Sequence, residues 1–196
     1  MQEITKLKPF FTMITNLGTP MVSLLLYIVC FNLMPKPAAL YFWCGMGTVL
    51  YLDNELKSIY AEKRPYWVTD DINSTHCMLG FGNPSGHMLN TTYFWLTLYL
   101  HCYHEVGVKA ARMSVFCTAY IIKMAATCIG ISLIIFMAFS RVYLGVHSIN
   151  EVIFGTILGA TFSLIGHYKI KPLFLAMPEL LYFDSEGSKY RVTLCT

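Results

Sequence analysis

Five long stretches of the chain are almost wholly apolar, and the charged residues gather between them. They run over 20–34, 38–56, 87–104, 113–139 and 148–168. A helix needs about 20 predominantly apolar residues to cross a bilayer, so each stretch is predicted to be a span. The first is short and is expected to borrow residues from Thr12 onward; Thr19 is its expected N-cap, with Pro20 at the first helical position. Ahead of it, Ile4, Leu7, Phe11 and Ile14 recur at helical spacing beside Lys6 and Lys8. That pattern predicts a helix lying in the membrane interface. The expected fold is therefore all-α, a polytopic transmembrane helical bundle of about five spans plus an N-terminal interfacial helix. Three units are expected: an interfacial segment over 1–18, a membrane-embedded domain over 19–170 and a cytosolic tail over 171–196.

Composition agrees with this reading and excludes others. Of 196 residues, 56 % are apolar and only 13 % are charged, about half the charged share of a soluble domain. The mean hydropathy is +0.53. A net charge of +3, dispersed along the chain, is too small for a nucleic-acid surface. Of the seven cysteines, Cys30, Cys44, Cys102, Cys117 and Cys128 lie within apolar runs, where cysteine behaves as a small hydrophobe. There is no C-x-x-C pair, and an odd count does not close a disulfide set. The N-terminus shows no pattern of a removable signal peptide.

With five spans, the second ends, the third begins, the fourth ends and the fifth begins on one side of the membrane. Three polar segments sit at those four ends. They are Lys57-Ser58-Ile59-Tyr60-Ala61-Glu62-Lys63-Arg64-Pro65, Pro84-Ser85-Gly86-His87, and Ser140-Arg141 with His147 and Glu151 beyond it. The long loop 66–86 joins the first two, and a long loop among short connections is often functional. All three segments are thus expected on one membrane face.

Their residue types suit a phosphate-like anion. Arg64 and Arg141 offer planar forks for bidentate contact with phosphate oxygens, and Lys57 adds a compact charge, with Asp53 one helical turn before it. Asn83 or Ser85 is placed to cap the third span, whose first-turn amides make a helix N-terminus that attracts phosphate. Gly86 lets a ligand approach the backbone. His147 and Glu151 stand at i and i+4 on one helix face. A carboxylate on one ring nitrogen fixes the tautomer and leaves the other nitrogen as an aimed nucleophile.

The segments resemble the tripartite signature of the type 2 phosphatidic acid phosphatase family, K-x6-RP, PSGH and SR-x5-H-x3-D, over roughly residues 53–160. The resemblance implies a membrane phosphatase in which His147 becomes phosphorylated and His87 protonates the leaving alkoxide, then serves as base for water. It also implies that Ser85, the Gly86 amide, Lys57, Arg64 and Arg141 bind the phosphate oxygens. Glu151 departs from the pattern, which has aspartate there. Neither metal nor other cofactor is expected, since no aspartate cluster offers a Mg²⁺ or Zn²⁺ cage. His76, His101, His104 and His167 are expected to be ordinary polar residues, and Lys123 to reach water at the opposite face. Gly155, Gly159 and Ser163 continue the stripe of His147 and Glu151, predicting close packing inside the bundle.

Orientation and substrate follow from weaker signals. Lys6, Lys8 and Lys63 mark the motif face, against Lys36, Lys109, Arg112, Lys169 and Lys171 opposite. The positive-inside rule then puts the C-terminus in the cytosol and the site in the lumen or outside the cell, in the endoplasmic reticulum or another endomembrane. The sequon Asn73-Ser74-Thr75 in the long loop agrees. Within the resembled family, the Arg64-Pro65-Tyr66-Trp67 segment is similar to glucose-6-phosphatase and the Ser140–Ser148 segment to the sphingosine-1-phosphate phosphatases. A lipid phosphate or diphosphate is the expected substrate, drawn from the surrounding membrane lipids. The alternatives are a soluble sugar phosphate, a weakly catalytic lipid-phosphate binder and, excluded by the apolar composition, a soluble vanadium haloperoxidase.

Overall fold

The computed structural model describes residues 5–34, 36–69, 80–110 and 116–181, and every described element is helical. After a single 3-10 turn at Thr5–Leu7 come α1 (Lys8–Leu17), α2 (Pro20–Leu33), α3 (Lys36–Tyr60), the one-turn α4 (Pro65–Val68), α5 (Gly86–Ala110), α6 (Phe116–Tyr143) and α7 (Ile149–Ile165). A π-helical turn, Gly166–Ile170, joins α7 to α8 (Lys171–Leu181), so the last helix runs on past residue 170 without a break. The sequon at Asn73, His76 and Arg112 lie outside the described residues, as do the side chains of His104, Lys109 and Lys123.

Among the described residues, two helical stretches, Met124–Tyr143 and Ile149–Ala176, are long and apolar enough to cross a membrane, and α1 with α2 makes a third if the bent pair is one span. The five-span expectation exceeds that number because of α3 and α5. Each has 25 residues, ample length at about 1.5 Å per residue. Their polarity is the difference. Asp53 of α3 and His87, Asn90, Thr91, Thr92, Thr97 and His101 of α5 are all buried against other helices. A helix wrapped in protein has no need to be apolar all round. The lipid-facing character lies instead on exposed Leu24, Leu25, Ile28 and Val29 of α2, Ile131, Ile135 and Phe139 of α6, and Ile153 and Ile157 of α7.

Helix α5 is the axis, packed on α7, α6 and α3. Its closest neighbour is α7, and small residues explain why. A β-carbon on Gly155 would stand 2.6 Å from the Ser85 carbonyl oxygen, and one on Gly159 would stand 2.5 Å from that of Leu89. One turn further, Ser163 Oγ donates to the Tyr93 carbonyl at 3.0 Å and lies 2.9 Å from Thr97 Oγ1. The i, i+4 stripe is therefore an internal packing face.

Two apolar clusters fill the remaining interior. Tyr27, Phe42 and Phe94 stack at ring separations of 4.7–5.5 Å among Met46, Val49, Leu89 and Tyr93. Ile14, Met88, Met137 and Val152 make the second, beneath the motif segments. Ile14 ties α1 into it, and Thr15 Oγ1 donates to Ser140 Oγ at 3.0 Å while Phe11 meets Tyr143 at 4.5 Å. The amphipathic stretch thus sets its apolar face against the end of α6. Thr19 does precede Pro20 in extended conformation, but its hydroxyl makes no cap and donates back to the Asn16 carbonyl at 2.7 Å.

Candidate active site

Each motif segment sits where a helix stops or starts. Helix α3 ends at Ala61, which adopts a left-handed φ of 45° as its amide bonds the Lys57 carbonyl at 3.0 Å. That conformation is costly for a non-glycine residue, by about 1–2 kcal/mol. It turns the chain so that Arg64, extended as residues before proline are, folds inward to 2 % exposure. Between α6 and α7 the turn passes through Gly145 at φ 67°, a region that needs glycine, and the Val146 amide returns to the Arg141 carbonyl at 3.3 Å. The turn aims His147 into the bundle. Ser148 then caps α7, its hydroxyl accepting the Glu151 amide at 3.3 Å.

The geometry couples the segments directly. His147 Nδ1 lies 2.5 Å from Glu151 Oε2, both side chains being almost wholly buried. A carboxylate only accepts, so Nδ1 donates and the neutral ring keeps its lone pair on Nε2. Arg64 Nη1 faces that Nε2 at 3.5 Å. The Ser85 amide donates to the Glu151 carbonyl at 3.2 Å, joining the second segment to the third. Lys57 Nζ meets Asp53 Oδ2 at 2.5 Å, and the pair lies over Gly86, where a β-carbon would stand 2.9 Å from Nζ. Arg141 and Ser140 are fully buried. The buried His87 ring lies within electrostatic range of Arg141, His147, Lys57 and Arg64. All eight residues singled out in the sequence thus come to one place at the end of the bundle.

Among the buried groups there that lack a hydrogen-bond partner within the described residues are Ser85 Oγ and His87 Nε2. Buried polar atoms are nearly always satisfied, so such atoms point to a ligand. Ser85 stands just ahead of α5 without capping it, and Asn83 Nδ2 instead donates to Glu62 Oε2 at 2.7 Å. Neither expected cap takes up a first-turn amide of α5.

His147 is held well below the usual histidine range, first by burial and then by the charges of Arg141, Arg64 and Lys57, against an opposing hydrogen bond that the ring donates to the Gly82 backbone. The consequence for pH has a definite sign. A depressed value keeps Nε2 unprotonated as pH falls through about 6.5, where an exposed imidazole would take up a proton. The acid limb of kcat/KM, which reports free enzyme, is expected below that pH. A limb at or above 6.5 that moves in Glu151→Asp would contradict it.

Arg64 does more than its motif indicates. Its Nε donates to the Gly80 carbonyl at 2.8 Å, Nη2 to that of Phe81 at 3.3 Å and Nη1 to that of Val146 at 3.2 Å. It pins two loops while facing the site, and this burial lowers its own pKa from the ordinary guanidinium value. Glu62 is a residue that motif reasoning missed: its carbonyl accepts the Gly82 amide at 2.8 Å and its carboxylate accepts Asn83. Gly82 itself packs on the Glu151 carboxylate. Away from the site, His101 Nδ1 accepts from Lys171 Nζ at 2.9 Å, and His167 is buried nearer that end. Among the described residues, no three His, Cys, Asp or Glu side chains converge as a metal site.

The profile of the PAP2 superfamily matches residues 38–174, from the start of α3 into α8. The chain belongs to the PAP2 superfamily. Its fold is also that of a solved transmembrane PAP2-type phosphatidylglycerolphosphate phosphatase from Bacillus subtilis. The two agree with a TM-score of 0.65 over 91 % of this chain and 79 % of that one, at 22 % sequence identity. No curated protein sequence matches the chain. As a PAP2 protein it is an integral-membrane phosphatase, and the site just described lies wholly inside the matched segment.

Proposed function

We propose that this chain hydrolyses the phosphate of a membrane lipid, a phosphomonoester or a diphosphate, through a phosphohistidine on His147. The observation that carries this reading is the buried His147–Glu151 pair, whose outward nitrogen faces Arg64. The lone pair of Nε2 attacks phosphorus as the bond to the leaving oxygen breaks, and His87 gives that oxygen its proton. Water then attacks the phosphohistidine, His87 takes a proton from it, and the P–N bond breaks to release phosphate and restore the ring. Lys57, Arg64, Arg141, Ser85 and the Gly86 amide hold the equatorial oxygens, where charge stabilisation does most of the work of phosphoryl transfer. A site at the end of a bundle with lipid-facing walls favours an amphiphile, and the Bacillus subtilis neighbour acts on a lipid phosphate.

The test is phosphate release by the purified protein in detergent. Phosphatidate, phosphatidylglycerolphosphate, sphingosine-1-phosphate, polyprenyl diphosphate and glucose-6-phosphate are the substrates, each with and without EDTA. Release from a lipid substrate, unaffected by EDTA and blocked by vanadate, is expected, because the cationic side chains supply what Mg²⁺ would and a vanadate adduct on His147 mimics the transition state. Preference for glucose-6-phosphate would select the sugar-phosphatase alternative. Loss with EDTA and recovery with Mg²⁺ would remove the proposed site.

The catalytic unit is proposed to be 19–170, with 1–18 at the interface and the segment after 170 toward the cytosol. The site then faces the lumen or exterior. A glycosidase-sensitive mobility shift that Asn73→Gln removes is the expected sign in a glycosylating cell. Protection of a C-terminal tag from protease in sealed microsomes would reverse the orientation.

A further inference from the structure

We infer that Gly82 is a positioning residue: by presenting no side chain it makes room for the Glu151 carboxylate in the place from which that carboxylate holds His147. The inference rests on the phosphohistidine reading above and extends it to a residue outside the three motifs. A β-carbon built on Gly82 would stand 2.7 Å from Glu151 Oε1, 2.9 Å from Cδ and 2.9 Å from Oε2. Real β-carbons do not approach that closely, so one partner would have to move.

The backbone of Gly82 is the less free of the two. Its amide donates to the Glu62 carbonyl at 2.8 Å, and the carbonyls of Gly80 and Phe81 are held by Arg64 at 2.8 and 3.3 Å. Asn83, on the other side, is tied to Glu62 Oε2. The carboxylate is the end of a flexible side chain and would yield first. Yielding takes it off His147 Nδ1, to which its Oε2 is now bonded at 2.5 Å. The Gly82 backbone also hydrogen-bonds the His147 ring, so the same residue borders both members of the pair.

Gly82 does not owe its identity to backbone conformation. Among the described residues, the glycines with positive φ are Gly80 and Gly145. Alanine at 82 is compatible with the chain path, and the three heavy atoms its β-carbon would meet first all belong to the neighbouring carboxylate. The requirement is linked to side-chain length at 151, because an aspartate there ends one methylene earlier and leaves space for a β-carbon. Glycine at 82 and glutamate at 151 form one matched pair.

The experiment compares wild type, Gly82→Ala, Glu151→Asp and the double variant as full-length protein in detergent. One readout is the rate of phosphoenzyme formation from p-nitrophenyl phosphate. The other is the ¹⁵N spectrum of the histidine-labelled protein, in which His147 is assigned by its absence in His147→Gln. Gly82→Ala is expected to slow phosphoenzyme formation by about 10–100-fold, the loss typical when the partner that orients a metal-bound histidine is disturbed. KM changes little, and the ring leaves the Nδ1–H tautomer. In the double variant the alanine adds nothing to the effect of Glu151→Asp, and the Nδ1–H signature returns. Non-additivity of that kind is the mark of contact.

Wild-type rate and tautomer in Gly82→Ala, or effects that multiply in the double variant, would overturn the inference. If Gly82→Ala alone does not fold, recovery of folded protein in the double variant supports it, and failure of both overturns it. Should wild type form no phosphoenzyme from any substrate, the phosphatase reading falls. The tautomer comparison then still decides whether Gly82 positions Glu151.

Discussion

Replacing His147 with alanine is expected to abolish phosphoenzyme formation with every substrate, whereas His87→Ala fails only with substrates whose leaving group needs a proton. The two residues act at different atoms. His147→Ala removes the nitrogen that accepts phosphorus, on the ring that the buried Glu151 carboxylate aims. His87→Ala removes the proton donor, a loss of about 10²–10⁴-fold for a poor alkoxide. p-Nitrophenolate departs without that proton, so p-nitrophenyl phosphate restores phosphoenzyme formation in His87→Ala. Water attack then lacks its base, and acid-quenched phosphoenzyme accumulates in that variant above the wild-type level. Phosphate trapped on His87, or rescue of the His147 variant alone, would exchange the roles.

The parts of this site that were legible in the sequence are those in which chemistry dictates residue type. Phosphate needs Lys57, Arg64 and Arg141, and a nucleophilic histidine needs a carboxylate at i+4, so motif spacing alone places them on span ends. Packing that depends on absent atoms was legible only in part. Gly155 and Gly159 were readable because they continue the stripe of His147 and Glu151 at helical spacing. Gly82 was not, because it sits in a loop and the carboxylate it accommodates lies on α7, far along the chain. Arg64 shows a second limit. Its bonds to the carbonyls of Gly80, Phe81 and Val146 use backbone atoms that every residue carries, so no side-chain pattern announces them. Hydropathy likewise marked α6 and α7 clearly and gave α3 and α5 as ordinary spans, although these two face protein with their polar residues. The interfacial character of α1 was read from its one apolar face, and that face meets α6 through Ile14 and Phe11.

Arg141→Met is expected to lower kcat/KM by roughly 10³-fold, near the upper range for loss of one preorganised charge-stabilising donor, while leaving the unliganded protein no less stable. The reason for the split lies in burial. Arg141 is fully buried, and Arg64 repels it across the site. Gathering like charges out of water opposes folding, since taking each charge out of water costs several kcal/mol, about the size of the effect at stake. An incoming phosphate dianion reverses the balance, since its oxygens accept from the guanidinium fork in a water-poor site. Ligand stabilisation should therefore report Arg141 more sharply than intrinsic stability does. In wild type, vanadate at about a hundred times its Kd adds about 2.7 kcal/mol to the folded state. In Arg141→Met most of that gain is expected to vanish, read as a loss of the vanadate-induced shift in apparent Tm at a fixed scan rate. An unliganded variant that melts well below wild type yet keeps the full vanadate shift would show that Arg141 supports the bundle and does not bind the anion. Arg141→Lys separates charge from shape. It keeps the positive charge without the planar fork, so partial recovery of the shift with little recovery of kcat/KM is the pattern expected if bidentate contact is made chiefly in the transition state.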